Sequence, residues 1–312
     1  MRIGLDIMGG DFAPKATVNG AVMARRELPA QVKLVLFGDE KIINKQFSAI
    51  GEDPGDFEII HSSQIIEMGD HPVRALSQKP DSSISKGFGM LASGELDAFC
   101  SAGNTGAMLA GAMFTIKPIP GLIRPAIAVA LPQKDGGFNL LLDVGLNPDA
   151  RPDVLYQYGI MGSLYSHYVY GIEKPRVGLL NIGSEEDKGN LLTKSAFQLM
   201  KGTPDFDFIG NVEGNGLFFN RADVVVCDGF TGNVVLKQAE SFYNLMLKVK
   251  NGDPFFEQFN YENLGGTPIL GIGSQVLIGH GISSPMAIKN MLIQNKNIVE
   301  SGLIKKLKKA FK

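Results

Sequence analysis

Apolar residues occur in short continuous runs along the chain, and each run is followed by glycine, aspartate or asparagine and then by a stretch of helical periodicity. The runs are IGLDI (3–7), VKLVLFG (32–38), FEII (57–60), DAFCSAG (97–103), AIAVAL (126–131), FNLLLDVG (138–145), RVGLLNIG (176–183), FDFIGNV (206–212) and DVVVCDG (223–229). Continuous rather than alternating apolar character is typical of strands buried on both faces, as in parallel sheets covered by helices. The pattern therefore predicts an α/β chain whose functional loops follow the carboxyl ends of its strands.

Helical periodicity predicts seven helices, and three of them open with a proline that suits a first helical turn. Their predicted spans are 14–27, 83–93, 105–115, 152–170, 186–201, 232–248 and 285–295. The candidate caps for the three helices that open with proline are Asp11, Asp149 or Arg151, and Ser283 or Ser284. Two segments rich in proline and glycine, KPIPGLIRP (117–125) and NYENLGGTP (260–268), are the best candidates for crossovers between two lobes.

Length, composition and charge limit the classes of function that the chain can have. A chain of 312 residues with 44% hydrophobic content is long enough for one large α/β domain or for two lobes with a sizeable core. With 30 basic and 32 acidic residues the net charge is −2, which does not indicate nucleic acid as a main partner. Two cysteines at strand ends favour a reducing compartment. Asp6 and Asp11 interrupt the apolar stretch that a signal peptide needs, so we expect a cytoplasmic protein whose membrane contact, if any, is peripheral.

Two segments share one plan: apolar strand, cysteine, Gly-rich turn, Thr-Gly and helix. They are AFCSAGNTGAMLAG (98–111) and VVVCDGFTGNVVLK (224–237). Gly-rich turns that open helices present N–H donors to phosphate or to a developing oxyanion. The predicted binding residues are Ser101, Asn104, Thr105, Gly106, Gly229, Thr231, Gly232 and Asn233. Read alone, either loop would be explained by capping threonines and tight-turn asparagines, but the duplication favours a function and predicts a single site.

Two further loops carry candidate residues. The N-terminal DIMGGDFAPK (6–15) has Gly9 and Gly10 for close approach of a ligand and Asp11 before a helix, although Asp11 as a plain cap is an equal alternative. It lacks the spacing of a dinucleotide-binding loop. In LLNIGSEEDKGN (179–190), the macrodipole accounts for the acidic residues of a first helical turn, whereas Lys188 opposes it and is expected to face an anion. A solvated lysine is the alternative.

Histidine and metal chemistry receive less support. His280, between two glycines after an apolar strand, is a candidate general base. No HxxxH or CxxC spacing occurs and the acidic residues are scattered among different turns, so no metal site is predicted.

Taken in order, these segments resemble the bacterial phosphate acyltransferases of phospholipid synthesis, the PlsX family. The matching stretches are DIMGGDFAPK, PDSSISKG, AFCSAGNTGA, RPAIAVALP, LLDVGLN, PRVGLLNIGSEEDKGN, FIGNVEG, ADVVVCDGFTGNVVLK, GGTPILG and GHGISS. The resemblance implies conversion of acyl-[acyl carrier protein] and inorganic phosphate into acyl phosphate. It also implies a single three-layer α/β/α unit with a mostly parallel sheet, related to the isopropylmalate dehydrogenase-like and phosphotransacetylase folds, a homodimer, and no cofactor. The site would lie around Lys188 and Asn233, with Asp228 orienting Lys188 or Thr231.

The chain departs from that family at three places. Leu146 and Pro148 replace smaller or straighter residues, and Gly279 stands where a lysine is frequent. The segment 238–259 is shorter than in many relatives, where it carries helices implicated in membrane association. The alternatives are an acyl-CoA:phosphate acyltransferase, a dehydrogenase on the related fold, which would want a carboxylate cluster for Mg²⁺, and a non-catalytic binding module.

The last residues, SGLIKKLKKAFK (301–312), predict a basic amphipathic helix over 302–312. Its apolar residues fall on one helical face and its lysines on the rest. Such a helix could lie on an anionic membrane or meet an acidic carrier protein by electrostatic steering. The protein as a whole is also expected to contact the membrane acyltransferase that acts downstream. It could also pack its apolar face on the body of the protein.

Overall fold

A computed structural model describes residues 1–249 and 258–312, and in it the chain forms two compact units. The first contains Met1–Pro118 and Tyr261–Glu300, and the second contains Ile119–Asn260 and Ser301–Lys312. The chain passes from one unit to the other at three points, and two of these points fall inside the segments predicted as crossovers, 117–125 and 260–268. The third, before Ser301, was not predicted because it falls between two helices with no proline there.

The described strands and helices alternate along most of the chain, as the apolar runs predict. The strands are β1 Arg2–Asp6, β2 Lys33–Gly38, β3 Glu58–His61, β4 Ala98–Ser101, β5 Ala126–Pro132, β6 Phe138–Leu142, β7 Arg176–Asn181, β8 Asp207–Glu213, β9 Val224–Val226, β10 Thr267–Leu270 and β11 Gln275–Ile278. The helices are α1 Lys15–Glu27, α2 Glu40–Ile50, α3 Pro72–Gln78, α4 Ser83–Ala92, α5 Thr105–Gly111, α6 Pro152–Tyr168, α7 Leu191–Met200, α8 Gly229–Val249, α9 Tyr261–Leu264, α10 Pro285–Glu300 and α11 Leu303–Ala310.

In the first unit the strand order is β3-β2-β1-β4-β11-β10, parallel except for the antiparallel pair β10–β11. Phe37, Phe99 and Val276 project from one face of this sheet into a core with α4 and α5. Helix α10 packs against α1 and contacts β1, β4 and β11. Close packing of α1 on α10 requires Gly20, where a Cβ would lie 2.5 Å from Ile288 Cβ.

In the second unit the order is β5-β6-β9-β7-β8, parallel except for the antiparallel pair β5–β6. Helix α6 packs on β6, β7 and β9, with Tyr158 and Tyr165 almost fully buried. Helix α11 in turn packs on α6. The prediction of an α/β chain with a mostly parallel sheet is confirmed.

Several element boundaries differ from the prediction. The helix predicted from residue 186 begins at Leu191, because residues 182–190 form a loop, and no acidic residue falls in its first turn. The helices α2, α3 and α9 and the strand β10 were not predicted. Helix α1 has no side-chain cap, so Asp11 does not cap it, nor does Arg151 cap α6; the Ser284 hydroxyl accepts from Ala287 N at the start of α10.

The segment 238–259 is described only in part, because residues 250–257 lie outside the described residues. Over the described part of the chain, no helix combines the length and the apolar character needed to cross a membrane.

Candidate active site

In the first unit the neighbouring parallel strands β1, β4 and β11 end at the same edge, and a buried carboxylate organises the loops there. Asp6 Oδ1 accepts from Met8 N at 2.9 Å, and Oδ2 accepts from the Ser101 hydroxyl at 2.6 Å. The Ser101 oxygen in turn accepts from Gly103 N at 2.9 Å. Burial raises the pKa of the Asp6 carboxyl, and its hydrogen bonds oppose that rise. We call Asp6, Gly9, Ser101 and Gly103 the Asp6 cluster.

Glycine is required at two positions of the loop after β1, at Gly9 by close packing and at Gly10 by its backbone conformation. A Cβ at Gly9 would lie 2.4 Å from Asp6 Oδ2, and Gly10 has φ +106°, a conformation that favours glycine. Next to them Asp11 is exposed, and its amide donates to Gly281 O at 2.8 Å. The Asp11 carboxylate is therefore accessible while its backbone is held in place.

In the second loop of the first unit, the polar side chains predicted to bind a ligand are hydrogen-bonded within the protein instead. Asn104, not Thr105, caps α5: its Oδ1 accepts from Ala107 N at 2.9 Å. The Asn104 amide N–H₂ donates to the carbonyls of Glu67, Met68 and Asp70. Asn104 is 4% exposed and Ser101 is fully buried, so both side chains position the loop rather than donate to a ligand, contrary to expectation.

The remaining candidates of this unit lie at the same edge. Thr105 is exposed, and a Cβ at Gly106 would lie 2.3 Å from Pro72 Cγ. His280 is exposed and follows β11, and the loop is tied to β4 by Gly279 N, which donates to Ser101 O at 2.8 Å. His280 Nδ1 accepts from Ile282 N at 3.4 Å, so this ring nitrogen faces its own loop.

In the second unit the neighbouring parallel strands β6, β9 and β7 also end at one edge around a buried carboxylate. Asp143 accepts four N–H groups: Ile127 N and Leu146 N at Oδ1, and Asn147 N and Nδ2 at Oδ2, at 2.6–3.2 Å. Burial raises the pKa of the Asp143 carboxyl, and these donors oppose the rise. The Asn147 carbonyl then accepts from Gly229 N at 2.8 Å, which fixes the start of α8. We call Asp143, Asn147, Gly229 and Gly232 the Asp143 cluster.

Asp228 caps α8. Its Oδ1 accepts from Thr231 N and its Oδ2 accepts from the Thr231 hydroxyl, both at 2.8 Å. Of the two partners expected for Asp228, the structure shows Thr231. The hydroxyl of Thr231 is thus occupied as a donor.

Asn233 lies in the first turn of α8 and is exposed. Its side chain lies beside Gly145, whose Cβ position would be 3.5 Å from Asn233 Oδ1. Within the described residues the Asn233 amide has no hydrogen-bond partner, so both its donor and its acceptor are free for a ligand.

Lys188 lies in the loop that joins β7 to α7. Strand β7 pairs with β9 in the sheet. This loop is held by two amides: Asn181 Nδ2 donates to Lys188 O at 3.2 Å, and Asn211 Nδ2 donates to Glu185 O at 2.8 Å. The Lys188 stem packs against Gly183, and its ammonium is exposed and forms no ion pair within the described part of the chain. The loop backbone is fixed while the charge is free.

Both cysteines are buried free thiols, and burial raises the pKa of each well above its usual value. A thiol in this state is a poor nucleophile. Between residues 1–249 and 258–312 no group of three or more His, Cys, Asp or Glu side chains is placed to hold a metal ion.

Sequence reasoning missed Asp143 and Asn147 as site residues. A signal was present, because Leu142–Asp143 ends one strand as Leu5–Asp6 ends another, each before a Gly-containing loop. What the sequence could not give was the number of N–H donors that converge on each carboxylate.

Comparison with known proteins gives one consistent result. Residues 1–306 match the model of a family described as fatty acid synthesis protein. The chain is 42% identical to a phosphate acyltransferase of Halothermothrix orenii, over 98% of both chains. Among solved structures it is similar to a phosphotransacetylase from Streptococcus pyogenes, with a TM-score of 0.68 at 15% identity over 96% of this chain and 94% of the other. It is also similar to the EutD phosphotransacetylase from Staphylococcus aureus, with a TM-score of 0.66 at 16% identity over the same shares. At these identities the structures show a shared fold, as predicted.

Proposed function

Because the chain belongs to the fatty acid synthesis protein family of phosphate acyltransferases, we propose that it converts acyl-[acyl carrier protein] and inorganic phosphate into acyl phosphate and free carrier protein. The product would feed phospholipid synthesis. A phosphate oxygen attacks the thioester carbonyl, a C–O bond forms, the C–S bond breaks, and the carrier thiolate leaves and takes up a proton.

The observation that carries this proposal is the free Asn233 amide in the first turn of α8, whose start is held by the Asp143 cluster. A helix start combines N–H donors with a partial positive charge, which suits phosphate and the oxyanion of a tetrahedral intermediate. The free ammonium of Lys188 supplies a full positive charge in the loop that follows β7, and β7 is the strand paired with β9. In the described part of the second unit the expected residues with free donors are therefore Asn233 and Lys188.

Direct transfer of the acyl group to phosphate requires no further catalytic group. Phosphate is already a nucleophile near neutral pH, so the protein must hold it against the carbonyl and stabilise the developing negative charge. In this proposal phosphate binds to Lys188 and to the positive end of α8 at Gly229 and Gly232, whose own N–H groups already donate to Asn147 O and Asp228 O. Asn233 polarises the carbonyl, and Asp228 holds the helix start through Thr231. Within the first unit, the residues proposed to bind substrate are Gly9, Gly10, Asp11, Thr105 and Gly106, and His280 is proposed as a candidate base.

The wider setting is proposed on the same resemblance. The protein would act in the cytoplasm as a homodimer without a cofactor, with a peripheral contact to the inner face of the cell membrane that serves a downstream acyltransferase. The buried cysteines, with their raised pKa values, fit a reducing compartment.

One assay tests the reaction against its nearest alternative. The protein is incubated with phosphate and either acyl-[acyl carrier protein] or acyl-CoA, and acyl phosphate is trapped with hydroxylamine as the hydroxamate. We expect hydroxamate that depends on phosphate and on the carrier protein. Higher kcat/KM with acyl-CoA would indicate the CoA-dependent reaction instead, and no hydroxamate with either thioester would refute the proposal.

A further inference from the structure

Helix α11 and the two residues that follow it carry an uncompensated positive charge. Lys305, Lys306, Lys308, Lys309 and Lys312 are all exposed. Residues 301–312 contain no acidic residue, although the whole chain has a net charge of −2. Within the described residues none of the five lysines forms an ion pair. A concentrated surface charge of one sign attracts a partner of the other sign. We call these five residues the lysine face.

The apolar side of α11 is already occupied. Leu303 and Leu307 are fully buried, and α11 packs on α6. At its end Phe311 O is so close to Gly121 that a Cβ there would lie 2.0 Å away. An amphipathic helix that binds a membrane buries its apolar face in the lipid. Because that face is covered here, the lysines are what α11 offers to a partner.

Helix energetics explain only part of the lysine face. Lys308 and Lys309 lie in the last turn, where the macrodipole favours cations. Lys305 lies in the first turn, where the macrodipole opposes a cation, and no acidic side chain within the described residues compensates it. Lys306 is partly accounted for, since its ammonium lies 4.7 Å from the centre of the Tyr168 ring. The unfavourable placement of Lys305 points to a use outside the helix.

The lysine face leads towards the Asp143 cluster within the second unit. Helix α11 runs antiparallel to α6, because Lys306 contacts Tyr168 at the end of α6 while Phe311 contacts Gly121, whose carbonyl accepts from Gln157 Nε2 at 3.0 Å in the first half of α6. Three residues beyond Gly121, the exposed Arg124 has Nη1 3.5 Å from Asn147 Oδ1. Three residues of chain span at most ~11 Å. Positive charge therefore continues from Lys312 to the loop that fixes the start of α8.

We propose that the lysine face of α11 is the docking surface for an acidic protein, the carrier that brings the acyl thioester. This rests on the proposed function. A protein is favoured over a lipid surface for three reasons. The lysines complement an acidic partner, the apolar face of α11 is covered, and the positive charge extends towards the Asp143 cluster. Docking there would place the carrier beside the second unit with its thioester directed towards α8.

The test reverses charge on the lysine face without disturbing its packing. Lys305→Glu with Lys309→Glu changes two exposed side chains one helical turn apart, and glutamate at 305 suits the first turn. The matched control is Lys41→Glu with Lys45→Glu, an exposed pair at the same spacing on α2. Deletion of residues 302–312 is less informative, because it would uncover α6.

For the first pair we expect kcat/KM with acyl-[acyl carrier protein] to fall about tenfold at low ionic strength, with the difference shrinking as salt is added. The acyl thioester of N-acetylcysteamine, which is small and uncharged, should react equally with both variants. Fluorescence anisotropy with carrier protein that lacks an acyl group should show weakened binding in the first pair alone. The control pair should match the wild type throughout.

The outcomes separate the two proposals. If the wild type makes no acyl phosphate but binds the carrier more tightly than the Lys305→Glu, Lys309→Glu variant does, the reaction is refuted and the docking surface stands. If the wild type is active and the two pairs bind and turn over the carrier equally, the docking surface is refuted. Loss of flotation with phosphatidylglycerol vesicles in the first pair, with carrier binding unchanged, would assign the lysine face to a membrane and overturn the proposal.

Discussion

The backbone of Gly232 lies against the Asp143 carbonyl so closely that a Cβ at residue 232 would be 1.9 Å from that oxygen. The same peptide segment therefore does two things. Its Asp143 carboxylate gathers four N–H donors, and its carbonyl sets how near α8 can approach β6. The first turn of α8, which carries Asn233, is positioned by a contact that only glycine allows.

Gly232→Ala should move the start of α8 away from β6 and lower activity more than tenfold. Overpacking of this kind costs about 1–3 kcal/mol of unfolding free energy. Gly89→Ala is the control, because this exposed helical glycine has no atom within 4 Å of its Cβ position and should gain about 0.5–1 kcal/mol. Urea unfolding and the acyl phosphate assay check both variants. Wild-type activity in Gly232→Ala would show that the contact does not position Asn233.

Lys188→Ala should lower the rate about 100-fold or more while leaving the fold intact, on the scale of removing one preorganised electrostatic contact. The structural reason is that the loop around Lys188 is held by the Asn181 and Asn211 amides, not by the ammonium. Lys194→Ala, an exposed lysine on α7, is the control and should be unaffected. Rates at saturating phosphate measure the loss of activity, and circular dichroism spectra check that the fold is intact. Near wild-type turnover in Lys188→Ala would remove it from the site.

The sequence predicts the sheet well because apolar runs report burial on both faces directly. It predicts the loop 182–190 poorly, because Glu185, Glu186 and Asp187 suit a helix start and conceal the helix that begins at Leu191. Only the fold reveals that the side-chain amides of Asn181 and Asn211 hold this backbone, through the carbonyls of Lys188 and Glu185. The loops around Gly9 and Gly232 were found from their glycines.

Polar side chains in those loops were harder to assign from sequence. Asn104 directly precedes the Thr-Gly pair of one loop and Asn233 directly follows the Thr-Gly pair of the other, and the sequence analysis treats both as donors. The structure separates them: Asn104 is buried with its amide bound to three carbonyls, and Asn233 is exposed with its amide free within the described residues. Such a difference depends on what the neighbouring loop supplies, so one sequence cannot encode it locally.

Cys100 and Cys227 should be dispensable as nucleophiles. Both thiols are buried with raised pKa values, and direct attack by phosphate needs no acyl-enzyme. The double variant Cys100→Ala, Cys227→Ala should still make acyl phosphate at a rate within a few-fold of the wild type, with some loss of stability from the two small cavities. Mass spectrometry of the wild type after incubation with thioester alone provides the counter-test. An acyl adduct on either cysteine that is lost in the variant would refute direct transfer.

Asn233→Ala should lower kcat more than it raises the KM for phosphate, because its proposed partner is the negative charge that develops on the thioester carbonyl oxygen in the transition state. The variant should fold normally, since no hydrogen bond within the described residues depends on the Asn233 amide. Asn244→Ala, an exposed asparagine further along α8, is the matched control and should leave both constants unchanged. Steady-state kinetics at varied phosphate separate the roles of Asn233. A raised KM for phosphate with kcat preserved would move Asn233 from the carbonyl to the phosphate, and equal constants in Asn233→Ala and the wild type would exclude it from the reaction.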